Sequence, residues 1–336
     1  MATRKLNSKN IQIDSTAYIG KDGEIWIDTD TNLLKISDGT TAGGVVITTD
    51  GAGVANVAWA AITDINNAAG PVNVAIGQDA GETDQSSKAI AIGKQAGKTT
   101  QGISSIAIGE QAGETTQGES SVAIGTLAGN VTQTQYAIAV GNGAGQTNQG
   151  AGIAIGMHSG KDNQSGNGIG IGFEAGKTTQ SQHGVAIGAL AGKTTQGESS
   201  VAIGRQAGQT TQSTQSVAIG QQAGQTTQSE KSVAIGPFAG MTTQGDRAVA
   251  IGHNAGKDNQ GDKAVAIGTN AGATNQAANS IVINATGLAV ENVQPDSFVV
   301  QPVRNFSNAA ALPTGFKQVA YNPTTGEFVY YGVAGT

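Results

Sequence analysis

The chain contains no cysteine, and this excludes disulfides and thiolate metal sites. Aromatic residues make up 4% and charged residues 12% of the sequence, and the net charge of −6 leaves no basic patch of the kind that binds nucleic acid. No run of 18 apolar residues is present, so membrane insertion through a helix is excluded. The first residues, MATRKLNSKNIQID, lack the apolar core of a signal peptide. We therefore expect a protein made in the cytosol, with neither nucleic acid nor membrane as its partner.

What the chain has in abundance is glycine at a fixed spacing. A glycine follows an apolar triplet thirteen times, with eleven of the twelve intervals equal to 16 residues and one, Gly141 to Gly156, equal to 15. A fixed period of this length is typical of a stacked or solenoidal architecture. The first four members of this column are Gly77, Gly93, Gly109 and Gly125.

When the copies are aligned on that glycine, most other positions hold the same type of residue in nearly every copy. The triplet before it reads Val or Ile, then Ala, then Ile, with Val140 and Gly170 as the single departures in the last two columns. A second glycine follows four residues later and a glutamine eight residues later in every copy, beginning with Gln85, Gln101 and Gln117. The large-small-large alternation predicts a short strand, and Thr-Thr-Gln predicts a second one. Two strands and two glycine turns then complete one coil.

These columns predict an all-β fold: a trimeric parallel β-roll or solenoid of about thirteen 16-residue coils, with a small β-domain before it and a β-rich cap after it. Stacked coils would pair as parallel strands, and the glutamine amides would hydrogen-bond along the axis. We expect the Val and Ile columns, including Ile92, Ile108 and Ile124, to form the dry interior. The Ala and Gly face would then admit a neighbouring backbone, which predicts an interface between several chains wound around one axis. The columns do not count the chains; we expect a cyclic trimer.

The two ends differ from the repeats. We expect an N-terminal β module over 1–53, a neck or linker over 54–71, the repeat shaft over 72–287 and a C-terminal cap over 288–336. Asp-Gly dipeptides predict hairpins in the first module, which is the candidate virion-docking unit; its candidate residues are Ile25, Trp26, Ile27, Leu34 and Ile36. Residues 54–68 fit either a short helix or an irregular connector. SIVINATG predicts a partial terminal coil with Asn284 in the glycine column.

The tail QVAYNPTTGEFVYY predicts a hairpin that carries most of the tyrosines. Either these aromatic side chains contact a ligand at the tip of a fibre, or they plug the open end of the stack. The candidate tip contacts are Tyr321, Phe328, Tyr330 and Tyr331.

No catalytic or metal-binding constellation is apparent, so we expect neither an enzyme nor a cofactor. Gly97-Lys98-Thr99 and its two relatives are preceded by a glycine one residue too close for a phosphate-binding loop. The acidic run at Asp28 lacks the glycine and glutamate of a calcium loop. A threonine column, filled in ten of thirteen copies, favours a solvent-facing strand and leaves an ice-binding surface as an alternative.

The SVAIG…AG…Q coils resemble the β-roll heads of trimeric autotransporter adhesins over about residues 72–284. That resemblance implies a homotrimeric, left-handed parallel β-roll. The flanks point elsewhere: GEIWIDTDTNLLKISDGTTAGG is similar to N-terminal modules of phage tail fibres and other virion proteins. INATG, FVVQPVRN and YNPTTGEFVYY are similar to the C-terminal parts of phage and large-virus fibre proteins.

Together these features predict a homotrimeric bacteriophage fibre or spike, from the tail or from the head and neck. Its N-terminal module would bind tail, neck or capsid proteins of the virion, and its cap would contact a host surface glycan or protein. It would be assembled in the host cytoplasm and located in the virion. A trimeric cell-surface adhesin is the first alternative, and an ice- or glycan-binding solenoid is the second.

Overall fold

The computed structural model describes residues 25–28, 33–37, 45–47, 73–303, 318–322 and 327–331, with the single residues 21 and 40. The first described part is a three-stranded antiparallel sheet of Ile25–Asp28, Leu33–Ile36 and Val45–Ile47. Ile25 stands opposite Ile36 and Ile27 opposite Leu34, as the predicted hairpin requires. The segment 54–68, for which we expected a short helix or an irregular connector, lies outside the described residues. So does the packing of the side chains of Ile25, Trp26, Ile27, Leu34 and Ile36.

Each repeat contributes one three-residue strand to a single parallel sheet of 15 strands. Successive strands pair in register at one-coil spacing, so that Val201 stands beside Val217 and Ala202 beside Ala218. This confirms the predicted parallel β-solenoid. Its strands are Val74–Ile76, Ile90–Ile92, Ile106–Ile108, Val122–Ile124, Ile138–Val140, Ile153–Ile155, Ile169–Ile171, Val185–Ile187, Val201–Ile203, Val217–Ile219, Val233–Ile235, Val249–Ile251, Val265–Ile267, Ile281–Asn284 and Phe298–Gln301.

In eight coils the chain forms a second strand of two residues, and these strands make two separate parallel sheets. These strands are Thr100–Gln101, Thr116–Gln117 and Thr132–Gln133 in the first sheet, and Thr179–Gln180, Thr195–Gln196, Thr211–Gln212, Thr227–Gln228 and Thr243–Gln244 in the second.

The gap between these two sheets follows from the sequence. In the intervening coils the threonine before the glutamine is replaced by Asn148 and Asn163, which adopt φ of 54° and 59°. Asparagine tolerates this left-handed conformation better than most residues, and the conformation ends an extended strand. The two amides stack instead, with Asn148 Nδ2 donating to Asn163 Oδ1 at 3.1 Å.

Both glycine columns are required by the geometry of the turns. Gly93 has φ of 128°, and a Cβ at this position would lie 2.6 Å from the carbonyl oxygen of Gly109 in the next coil. Gly97 has φ of 51°, and a Cβ there would lie 2.6 Å from Oε1 of Gln101. A side chain at either position would therefore combine an unfavourable backbone with a clash.

The interior of the coil is lined by alanine, so the prediction that Val and Ile form it was wrong. Ala91 and Ala107 are fully buried, whereas Ile124 is 37% exposed and Ile92 and Ile108 are half-buried on the outer face. The expected Ala and Gly face for a neighbouring chain was wrong for the same reason, since this face is already inside the coil. The opposite strand sends a glutamine side chain into the same interior, which leaves room for only a methyl group on the triplet side.

Glutamine fills the rest of this interior. Gln101 is fully buried, and its Nε2 crosses the coil to donate to the carbonyl of Ile90 at 2.7 Å. The amides also bond from coil to coil, as predicted: Gln180 Nε2 donates to Gln196 Oε1 at 3.0 Å, and the chain of such bonds runs without interruption from Gln133 to Gln276. A buried polar core of this kind is stable because each donor has a partner.

One departure from the repeat shows how tightly the interior is packed. In the sixth coil Ser159 takes the place of a buried alanine, and Gly170 replaces alanine in the following strand. A Cβ on Gly170 would lie 2.7 Å from the Ser159 hydroxyl, which donates to the carbonyl of Ala175 at 3.2 Å. The smaller residue in one coil thus makes room for the larger one in its neighbour.

The stack is closed by the predicted partial coil. Asn284 replaces the glycine of the column and is buried, and its Nδ2 donates to the carbonyls of Thr269 at 2.7 Å and Leu288 at 2.6 Å. The sheet continues past residue 288, the expected start of the cap, because Phe298–Gln301 pairs in parallel with Ile281–Asn284. In the tail, Gln318–Asn322 and Glu327–Tyr331 form the predicted antiparallel hairpin.

Candidate interaction surface

The outer face of the 15-stranded sheet carries a continuous apolar stripe. We define this apolar stripe as the first and third residue of each strand triplet, from Val74 and Ile76 to Phe298 and Val300. In all thirteen repeats and in the partial coil both positions are Val or Ile. The Ile side chains along it are half-buried or exposed: Ile92 and Ile203 are half-buried, whereas Ile155 and Ile267 are 39% exposed.

The stripe is a direct consequence of the alternation in each strand. Because alanine occupies the inward position, the two β-branched residues must point outward, and parallel register places them in rows. A contiguous apolar surface of this length is characteristic of an interaction site in a soluble protein. Complete burial of an Ile side chain contributes about 1.5–3 kcal/mol, so covering the exposed two-fifths contributes about 1 kcal/mol per residue.

The face formed by the second strands is polar. Thr195, Thr211 and Thr227 stand in register in successive coils and are exposed, while the glutamine after each of them points inward. The threonine column of the sequence analysis lies one residue earlier, at Thr194, Thr210 and Thr226. These residues are exposed, as predicted, but each lies just before the strand and not within it. The solenoid thus has two chemically different long faces, one apolar and one hydroxyl-rich.

Charged side chains pair between coils at the turns. Glu174 Oε1 lies 2.6 Å from Lys177 Nζ, and its Oε2 lies 2.8 Å from Lys193 Nζ in the next coil. Hydrogen bonds from these two ammonium groups hold the pKa of Glu174 below its ordinary value. Nearby, burial and then the charges of Lys161 and Lys177 lower the pKa of His158.

The apolar stripe ends in an aromatic groove. We define the C-terminal groove by Ile281, Ile283, Phe298 and Phe328, which surround a volume of about 750 Å³. Phe328 belongs to the tail hairpin, and its ring centroid lies 6.1 Å from that of Phe298. Phe298 is 48% and Phe328 62% exposed. The hairpin therefore places one aromatic ring at the end of the stripe.

The other predicted tip residues lie on the same hairpin. Tyr321 stands opposite Phe328, Val319 opposite Tyr330, and Tyr331 opposite Gln318. The packing of the three tyrosine side chains lies outside the described residues.

Sequence reasoning missed Ile281, Ile283 and Phe298 as site residues. Phe298-Val299-Val300 repeats the apolar triplet, but it follows the preceding triplet at a distance of 17 residues and lacks the glycine after it. The orientation of the stripe was missed as well, although the small residue in the middle of nearly every triplet was a signal that this position faces a narrow interior.

We also searched the described residues for metal sites and for helices that could cross a membrane. Within it, no group of three or more histidine, aspartate or glutamate side chains is arranged to hold a metal ion. Nor does any helix in the described ranges have the length and apolarity needed to span a bilayer.

Two segments of the shaft, residues 101–128 and 230–255, match the family model of the YadA head domain repeat. No curated protein and no solved structure matches the chain. Both matched segments lie in the solenoid and include the strand triplet, both glycine turns and the buried glutamine. The shaft is therefore a parallel β-solenoid that carries YadA head repeats, and it is similar to the head of a trimeric autotransporter adhesin.

Proposed function

We propose that this chain forms the rod-like shaft of a homotrimeric, adhesin-type fibrous surface protein, in which the apolar stripe is the surface between chains. The stripe carries the proposal: it is continuous over thirteen coils, it is made of β-branched residues, and its Ile side chains are half-buried or exposed in the single chain. If the stripes of three chains faced a common axis, each would bury the apolar surface of the others.

The energetics favour such an assembly. A gain of about 1 kcal/mol per Ile, repeated along the shaft, exceeds the roughly 4–15 kcal/mol of lost rotational and translational freedom that association costs. Few side chains of the stripe are long and flexible, so little rotamer entropy is lost on assembly. The match to YadA head repeats supports the same stoichiometry, since heads of this kind occur in trimeric adhesins.

The polar faces would remain on the outside of the trimer. The threonine rows and the variable charged turns, such as Lys94 and Glu110 at 3.7 Å, would face solvent and give the rod a hydrated surface. Closed ladders along the axis and dry contacts between chains would make the rod resistant to proteases and detergents. Its role is mechanical and adhesive, without a chemical step.

The segments that flank the shaft carry our proposal for where the fibre is attached. The N-terminal β module would dock on a carrier, and on the resemblance of its sequence this carrier would be a virion tail, neck or capsid protein. The placement on a virion rests on the flanking sequences alone and stays a prediction, whereas the adhesin-type shaft rests on the stripe and the family match.

A pair of charge substitutions tests the proposal. Ile203→Asp places a carboxylate in the middle of the stripe, and Thr195→Asp places one on the polar face of the neighbouring coil. We expect Ile203→Asp to reduce the sedimenting species from three chains to one, because three carboxylates would be buried near one axis. Thr195→Asp should sediment as the unmodified protein does. A stripe variant that keeps the native mass would contradict the proposed interface.

A further inference from the structure

The apolar stripe is nearly the same at every coil, and this creates a problem for assembly. In the repeats both stripe positions are always Val or Ile, side chains that differ by one methylene group. If one chain slips along its neighbour by one coil, Val and Ile meet Val and Ile again, and only one coil of contacts at the end is lost. Uniform side-chain rows of this kind specify register weakly. Something other than the regular stripe must therefore align the three chains.

The C-terminal end of the stripe is where this uniformity stops. Phe298 is the first residue in the stripe, counted from Val74, that is neither Val nor Ile. Phe328 reaches the same place from the tail hairpin, 6.1 Å from Phe298 between ring centroids. These two rings, with Ile281 and Ile283, form a bulky feature that a slipped neighbour would not match.

This C-terminal groove is also incompletely filled by its own chain. It is open to solvent with a volume of about 750 Å³, and Asn279, Asp296 and Ser297 complete its lining. Ile281 and Ile283 are 39% and 38% exposed at its floor, and the two phenylalanines are exposed still further. The groove is continuous with the stripe, because Ile281–Asn284 and Phe298–Gln301 are the last strands of the same sheet.

We propose that the C-terminal groove binds the stripe end of a second copy of this chain and thereby fixes the register of the trimer. This inference rests on the proposed homotrimer. In register, the Ile283 and Phe298 side chains of one chain meet the groove of the next, and three grooves fill one another around the axis. Out of register, Phe298 faces a Val or Ile of the shaft and the grooves stay open to water, which is unfavourable in proportion to the apolar area left uncovered.

The absence of cysteine makes a direct test possible, because any introduced thiol is the only one in its chain. Two differently tagged chains would be co-expressed, one with Ile203→Cys and one with Ile235→Cys. These positions lie two coils apart, roughly 9.6 Å along the axis. A disulfide requires Cα atoms within about 7 Å, so a pair formed between position 203 and position 235 reports slippage. Slippage by one coil brings positions 203 and 235 to roughly 4.8 Å along the axis, so the same pair also reports slippage by one coil.

In the otherwise native chain we expect disulfides between equal positions and only background levels between unequal ones. Replacing Phe298 by Val, the residue typical of the stripe, together with Phe328→Ala should raise the unequal disulfides about tenfold or more while the mass stays trimeric. Phe328→Ala alone keeps the sheet intact and should produce a smaller increase. Phe173→Ala, an exposed aromatic residue outside the groove, serves as the control and should leave the pattern unchanged.

A chain that does not trimerise and a trimer whose register is set elsewhere give different results in this experiment. If native chains form no disulfides between equal positions and have the mass of one chain, the trimer itself is wrong and the register proposal falls with it. If native chains are trimeric and the groove variants still give only equal-position disulfides, the register is set elsewhere and this proposal is overturned.

Discussion

Removal of one glutamine amide from the buried ladder should weaken the coil in proportion to the bonds that this amide makes. Gln196 donates through Nε2 to the carbonyls of Val185 at 2.7 Å and Ser200 at 3.4 Å and to Gln212 Oε1 at 3.3 Å. Its own Oε1 accepts from Gln180 Nε2 at 3.0 Å. Gln196→Met keeps the side-chain length but removes all four bonds and leaves Gln212 Oε1 without a donor.

The shortest bonds are each worth about 1 kcal/mol and the orphaned acceptor costs about 1–3 kcal/mol, so we expect a loss of about 3 kcal/mol. The chain supplies a matched control in Gln117, which donates to the carbonyl of Ile106 at 2.7 Å and whose Oε1 has no partner. Gln117→Met should therefore cost only about 1 kcal/mol.

The assay should be local, because the stability of a solenoid is a sum of coil and interface terms. Amide hydrogen exchange measured on peptides that cover each coil meets this need. We expect exchange in the Gln196 coil to accelerate by about 100-fold and in the Gln117 coil by less than about tenfold. Equal acceleration in the two variants would refute the reasoning, since it would mean that the bonds between amides contribute nothing.

Three further outcomes follow from the same structure. Gly93→Ala should prevent or severely destabilise folding, because its Cβ would meet the carbonyl of Gly109, whereas Gly166→Ala, which has nothing within 4 Å, should leave the thermal midpoint unchanged or slightly raised. Tyr136→Gly should stabilise the chain by about 1 kcal/mol in denaturant unfolding, since this tyrosine is 62% exposed and has φ of 62°; a loss of stability would contradict this. Because its folded pKa is lowered, Glu174 contributes stability above the ordinary value of 4.5 and loses it as the pH falls through the lower folded value. Glu174→Gln should accordingly lower the melting temperature at pH 7 but not at strongly acidic pH, and a constant difference across this range would show that the carboxylate charge is irrelevant.

Much of the fold was predictable because thirteen copies of the repeat carry the same residue pattern. Period 2 in the triplet gave the strands, the glycines gave the turns, and the glutamine column gave the ladder that Gln180 and Gln196 form. Hydrophobicity alone did not predict which residues of the triplet point into the coil. The rule that large apolar residues lie inside presumes a core wide enough to hold them. Here Gln101 spans the coil from one strand to the other, so steric room and not polarity decides that alanine points inward.

The site was harder to predict than the fold. Phe328 was identified as an exposed aromatic residue of the tail, but its neighbour Phe298 belongs to a strand that breaks the 16-residue period by one residue and lacks the glycine. A pattern search tuned to the repeat stops at Ile281–Asn284, one strand too early. The contact between the two rings depends on how the tail returns to the sheet, and this information is not contained in any local pattern.

The most direct test of the account is the mass of the unmodified native protein by multi-angle light scattering. An apolar stripe covered by two other copies predicts a mass close to three times the chain mass of 33.4 kDa, retained in mild detergent. A mass of one chain would mean that the stripe stays open to water in solution, and it would contradict the trimeric shaft.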